Sequence, residues 1–137
     1  MNPILRNILA VLAGIVAGGA LNMGIISISS AIIPPPPGSD LTTTEGLKAA
    51  MSLMGPEHFL MPFLAHALGT LLGAFITAKF VTTSKIIFAL GIGAWNFIGG
   101  LMMVMMLPSP IWFTVLDLAG AYLPFAFIGA KLATLNK

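Results

Sequence analysis

The chain contains no cysteine, which excludes disulfides, thiolate nucleophiles and thiolate-held zinc or iron–sulfur centres. Charge is nearly as scarce. Asp, Glu, Lys and Arg make up 7% of the 137 residues, against about 25% in soluble domains. The six Lys and Arg residues are scattered, so no basic patch exists for nucleic acid. A nucleophile elbow, a metal-ligand cluster and a phosphate-binding basic patch are all missing from the sequence. It therefore names no catalytic residue, no metal and no cofactor.

What the chain does have is apolar length. Hydrophobic residues account for 58% of it, and its mean hydropathy is +1.02. A helix that crosses a bilayer needs about 20 apolar residues, because the hydrocarbon core is about 30 Å thick. Four stretches qualify, roughly 4–33, 58–81, 86–107 and 111–133. They are apolar around the whole helix, as lipid-embedded helices are. The expected fold is all-α. Short turns make it a four-transmembrane-helix antiparallel bundle, and residues 1–137 form a single integral membrane domain.

The few charges orient this bundle. Arg6, Lys79, Lys85, Lys131 and Lys137 fall on one side of a four-helix weave. Lys48 falls on the other, in the outer loop 34–57 with Asp40, Glu45 and Glu57. The positive-inside rule then makes both termini cytoplasmic in one fixed topology. The first stretch is far longer than the roughly 7–15 apolar residues of a signal peptide, so it is expected to be a true span.

Local signals punctuate the spans. Asn2 followed by Pro3 reads as an N-cap with proline at the first helical position. Pro34-Pro35-Pro36-Pro37 stops the first helix as a short polyproline rod, and Gly38-Ser39-Asp40 turns the chain. Thr42 and Glu45 form a Thr-x-x-Glu capping box. Behind it, Leu47, Ala50, Met51 and Met54 have helical spacing, which predicts a short amphipathic helix at the outer interface. Ser84 is expected to cap the third span and Ser109 the fourth. Trp112 and Phe113 stand where an interfacial aromatic belt belongs.

Each span carries one strongly polar residue at a similar depth: Asn22, His66, Asn96 and Asp117. Small residues three or four positions away place all four toward helix contacts rather than lipid. Those small residues form faces, Ala10-Gly14-Gly18, Ala65-Gly69-Gly73 and Ala126-Ala130, suited to packing within one chain or between protomers. Asp117 is the costly member, at about 2.5–3.5 kcal/mol for a mid-span carboxylate. With His66 it suggests a proton relay or ligand site, extended outward by Glu57 and His58. The alternative is a hydrogen-bonded pair that sets helix register. Asn22 and Asn96 read as interhelical hydrogen-bond glue.

Weaker features have ordinary readings. Met102 and Met106 would suit soft Cu(I), but among Met103 and Met105 they read as an apolar helix end. Glu57-His58 reads as a solvated helix start rather than a metal site. Ser27, Ser29 and Ser30 are expected to bond back to their own helix.

Two stretches carry a family resemblance. One runs from Asn22-Met23-Gly24 through Pro36-Pro37-Gly38-Ser39-Asp40 to His66-Ala67-Leu68-Gly69-Thr70. The other runs from Leu107-Pro108-Ser109-Pro110-Ile111-Trp112 through Asp117 to Tyr122-Leu123-Pro124. Together they resemble a group of small, uncharacterised four-span bacterial membrane proteins. The resemblance implies a bacterial inner (plasma) membrane location and assigns no activity.

The leading expectation is a non-enzymatic membrane module. It would be a homo-oligomer or an accessory subunit, with the lipid bilayer and other membrane protein subunits as its partners. A small ion- or proton-coupled transporter or channel running through His66, Asp117, Asn96 and Asn22 is the alternative. An intramembrane enzyme, with His66 as base and Asp117 as its orienting partner, ranks last.

Overall fold

The computed structural model describes residues 1–135. Among these the chain is helical, with no strand. Its helices are α1 (Pro3–Ile32), α2 (Thr44–Met51), α3 (Leu60–Phe80), α4 (Lys85–Met106), α5 (Ile111–Gly120) and α6 (Leu123–Thr134). A 3₁₀ turn, Pro56–Phe59, leads directly into α3. Four segments are long and apolar enough to cross a membrane: Pro3–Ile32, Pro56–Phe80, Lys85–Met106 and Ile111–Thr134. This is a multi-pass membrane protein. Lys137, one of the five charges read as lying on one side, falls outside the described residues.

The expected spans reappear with their ends within two residues, except that the fourth is not one helix. It breaks between α5 and α6 at Ala121 and Tyr122. Pro124 explains the break. It has no N–H to donate to the Gly120 carbonyl four residues earlier, and its ring clashes with that carbonyl in a continuous helix.

α3 is the hub of the bundle. It packs along α1 on one side and against α4 and α6 on the other, while α1 and α4 barely touch. The α1–α3 seam runs as a ladder. Arg6 Nε donates to the Phe80 carbonyl at 2.8 Å, and Asn7 Oδ1 accepts the Thr82 N–H at 2.9 Å. Thr77 Oγ1 donates to the Ala10 carbonyl at 3.3 Å. Next come Gly14 against Gly73 and Gly18 against Gly69. A methyl group on Gly18 would lie 2.6 Å from the Gly69 carbonyl oxygen, and one on Gly73 would lie 2.8 Å from that of Gly14. Only glycine permits this approach, which is how lipid-embedded helices gain van der Waals contact without a hydrophobic drive.

The Ala10-Gly14-Gly18 and Ala65-Gly69-Gly73 faces are buried inside one chain. Ala126 and Ala130 are buried with Ala74, Ala78, Ala89, Ile92 and Ala133 in a single core cluster. Of the two packings open to these faces, they make the one within a single chain. The end of the bundle that carries Arg6 and Thr82 is its terminus end. The opposite end, with the 33–59 connection and the Leu107–Pro110 turn, is the loop end.

Capping follows the expectations in part. Asn2 Oδ1 accepts the Ile4 N–H at 2.9 Å, as an N-cap should. The cap of α2 is Thr43, not Thr42, and its Oγ1 accepts the Gly46 N–H at 3.0 Å. Asp40 has captured Thr42 through both its amide N–H (2.8 Å) and its hydroxyl (2.6 Å). Those two bonds, the hydroxyl first, hold the Asp40 carboxyl below its ordinary value of 3.8. Ser84 does occupy the N-cap position of α4, but with left-handed backbone (φ 50°) and no side-chain cap bond. Ser109 sits one residue before the α5 cap, Pro110, and pairs with the Thr114 hydroxyl at 2.8 Å. As expected, Ser27 and Ser29 donate back to the Met23 and Ile26 carbonyls.

The 33–59 connection folds back over the loop end. Pro36 to Ser39 form a turn closed by the Ser39 N–H on the Pro36 carbonyl at 3.1 Å, with Gly38 at φ +79°. That is the position where a type II turn needs glycine. α2 turns its apolar residues inward: Ala50 is buried, and Leu47, Met51 and Met54 line a cavity over the bundle.

Candidate functional site

Asp117 on α5 is 3% exposed, so a charge there needs partners. It has two. The His66 Nδ1–H on α3 donates to both carboxylate oxygens, at 2.8 and 2.9 Å. The Tyr122 hydroxyl donates to Oδ2 at 3.0 Å. Acceptance by the carboxylate puts the proton of a neutral His66 on Nδ1 and leaves Nε2 facing away. Among the described residues no group hydrogen-bonds Nε2, and the His66 side chain remains 25% exposed. The imidazole therefore has one face anchored and one available.

Tyr122 was not among the polar residues singled out in the sequence, and the helix break is the reason it matters. In a continuous helix, positions five apart point about 140° away from each other. The break at Ala121 and Tyr122 folds the phenol back onto Asp117. Its ring stacks on His66 (centroids 5.6 Å, planes 26° apart) and meets Phe97 edge-on at 6.2 Å. Gly100 on α4 supplies the space, since a methyl group there would lie 2.6 Å from the Tyr122 Cζ. The sequence signals for all this were Pro124, which breaks the helix, and Gly100, which admits the ring.

The remaining polar residues of the layer divide. Asn96 Nδ2 donates to Thr70 Oγ1 on α3 at 2.9 Å, which is a helix–helix hydrogen bond. Thr70, 1% exposed, is a second polar residue that the expected layer did not include. Asn22 on α1 packs beside Gly69, and its Oδ1 is buried with no hydrogen-bond partner. Natural proteins seldom leave such an atom unpaired.

Asn22 and His66 stand where two cavities meet. The first, about 530 Å³, lies in the gap between α1 and α4. Its floor is Gly69, Thr70, Asn96 and His66, and its mouth is Trp95, Ile98 and Met102, each more than half exposed. The second, about 540 Å³, rises from Asn22, His66 and Asp117 to the underside of α2 and the 33–41 segment. Each volume falls within the roughly 300–1,000 Å³ of small-molecule sites. Among the described residues no Lys or Arg lines either cavity.

Glu57 and His58 lie apart from the pair. His58 Nε2 donates to the Pro34 carbonyl at 3.0 Å, and its Nδ1 accepts the Gly55 N–H at 3.1 Å. Glu57 approaches His58 Nδ1 at 3.4 Å and is itself 62% exposed. His58 thus clasps the polyproline segment to the start of α3 at the wall of the second cavity. The outward relay expected from His66 through His58 and Glu57 has no direct hydrogen bond between its two imidazoles. Among the described residues no three His, Asp or Glu side chains converge as a metal site would require.

No protein-family model, curated protein or solved structure matches this chain.

Proposed function

We propose that this chain is a non-enzymatic module of the bacterial inner membrane that holds a small ligand within the bilayer. Its site is the available face of His66, with Asn22 beside it and Asp117 and Tyr122 behind it. One observation carries this. Asn22 and His66 both line the junction of two cavities, and each has a polar atom, the buried Oδ1 and Nε2, with no hydrogen-bond partner among the described residues. Two uncommitted polar atoms in such a place are what a binding site presents and what helix glue lacks.

The proposed arrangement is an antiparallel, up-down-up-down bundle with cytoplasmic termini. Contacts Arg6–Phe80, Ala10–Thr77 and Gly18–Gly69 pair rising numbers on α1 with falling numbers on α3, which supports it. The short helix α2 would then lie at the outer interface, above the second cavity. Accessory contacts to other subunits belong to the same proposal. Surfaces for them remain at Gly24 and Gly91, where an added methyl group meets nothing within 4 Å.

A small proton-coupled transporter is the second reading. The broken span beside Asp117 favours it, since interrupted helices surround substrate sites in transporters. Against it stands the terminus end, where Ala10, Ala74, Ala78, Ala126 and Ala130 are buried at 0–3% exposure.

Two measurements on protein purified in mild detergent and reconstituted into vesicles test the proposal. Wild-type protein should release about one retained small molecule per chain on denaturation. Gly99→Leu, which fills the first cavity without meeting an atom within 4 Å at its Cβ, should release little. Equal release from both proteins contradicts the holding function. A proton flux in vesicles that disappears in Asp117→Asn replaces it with transport.

A further inference from the structure

Resting on the holding function above, the geometry points to the ligand's chemical class: a neutral amphiphile with a free hydroxyl head. The hydroxyl sits at His66 and Asn22, and the hydrocarbon tail leaves sideways between α1 and α4.

The head group follows from what the polar atoms need. Asn22 Oδ1 is buried and lacks a donor. With Nδ1–H committed to Asp117, His66 Nε2 accepts a hydrogen bond when the ring is neutral and donates one when it is charged. A hydroxyl both donates and accepts, so it serves Asn22 and His66 in either protonation state. It also serves if the Asn22 amide is turned end for end, since amide orientation is set by the network around it. A carbonyl or an ether cannot donate, so with Oδ1 turned to the site it leaves that oxygen unpaired.

Charge narrows the class further. A phosphate or carboxylate head would enter cavities that no Lys or Arg lines, beside the Asp117 carboxylate. Burying an uncompensated anion there is costly. A cationic head in the first cavity would lack a direct counter-charge, because Asp117 is 3% exposed and does not line that cavity. A neutral head avoids both penalties.

The tail route follows from the walls. α1 and α4 scarcely touch, and the first cavity opens between them past Trp95, Ile98, Met102 and Met106, all of them exposed. In a bilayer this mouth faces acyl chains. Methionine's flexible thioether suits a wall that must adapt to a chain of no fixed shape. Gly19 and Gly99 keep the mouth open, because neither has an atom within 4 Å of an added methyl group.

The test uses the reconstituted full chain and a long-chain alcohol carrying a photoreactive diazirine in its tail. Illumination should label peptides from the α1 segment around Gly18–Asn22 or the α4 segment around Trp95–Met106. Gly19→Leu and Gly99→Leu should each suppress labelling. Unlabelled parent alcohol should compete about 10-fold better than its methyl ether or the fatty acid of equal length. A loss of that size is typical when a site built for a hydroxyl meets an analogue without one. Labelling that both leucine variants leave unchanged overturns the holding function itself. Labelling that they suppress, but for which ether or acid competes as well as alcohol, overturns only the hydroxyl assignment.

Discussion

At the terminus end, α1 and α3 meet backbone to backbone. A methyl group on Gly73 would lie 2.8 Å from the Gly14 carbonyl oxygen, and the neighbouring core is alanine. Two turns toward the loop end, the same helices carry Asn22 and His66. There the bundle opens into cavities of about 530 and 540 Å³. In lipid, helices associate through van der Waals contact and hydrogen bonds, because apolar burial gives little advantage over acyl chains. The closed half uses that contact to the full, whereas the open half forgoes it and keeps a buried carboxylate and an unpaired amide oxygen. A bundle built only for packing would have continued its glycine and alanine ladder. The difference separates the part that holds the protein together from the part available for a ligand.

The largest effect should come from overpacking the closed half. Gly73→Ala pushes its methyl group against the Gly14 carbonyl, which is backbone and cannot swing away. A loss of about 2–3 kcal/mol is expected, read as a lower unfolding midpoint in detergent titration. Gly99→Ala, on the open side, should shift the same midpoint by no more than about 0.5 kcal/mol. Equal shifts would erase the contrast between the halves.

A smaller effect is expected at the cluster. Tyr122→Phe removes one hydrogen bond to Asp117 and keeps the stacking on His66. It should cost about 1 kcal/mol of stability and weaken retention of the bound molecule. A large stability loss with unchanged retention would return the cluster to a purely structural role.

Much of this contrast was legible in the sequence. Spans follow from composition alone, because a bilayer sets helix length. Two ionisable side chains at one depth, with small residues beside each, said that His66 and Asp117 could meet; that they touch is decided by the fold. Tyr122 was hidden because five-residue spacing points it away from Asp117 in an intact helix, and only the Pro124 break reverses that. Thr42 was misread as a cap because Asp40, two residues earlier, competes for the same hydroxyl. The cavities had no sequence signature, since they arise where α1 and α4 fail to meet.

Water- and lipid-edited solid-state NMR on the reconstituted protein tests the central claim most directly. His66 is one of two histidines, so its ring is assigned by difference against His58→Gln. The account predicts that the His66 ring draws magnetisation from water or acyl chains much faster than the buried Thr77 side chain does. Equally slow transfer to both would mean that His66 lies in a dry interface, and the binding site would not exist.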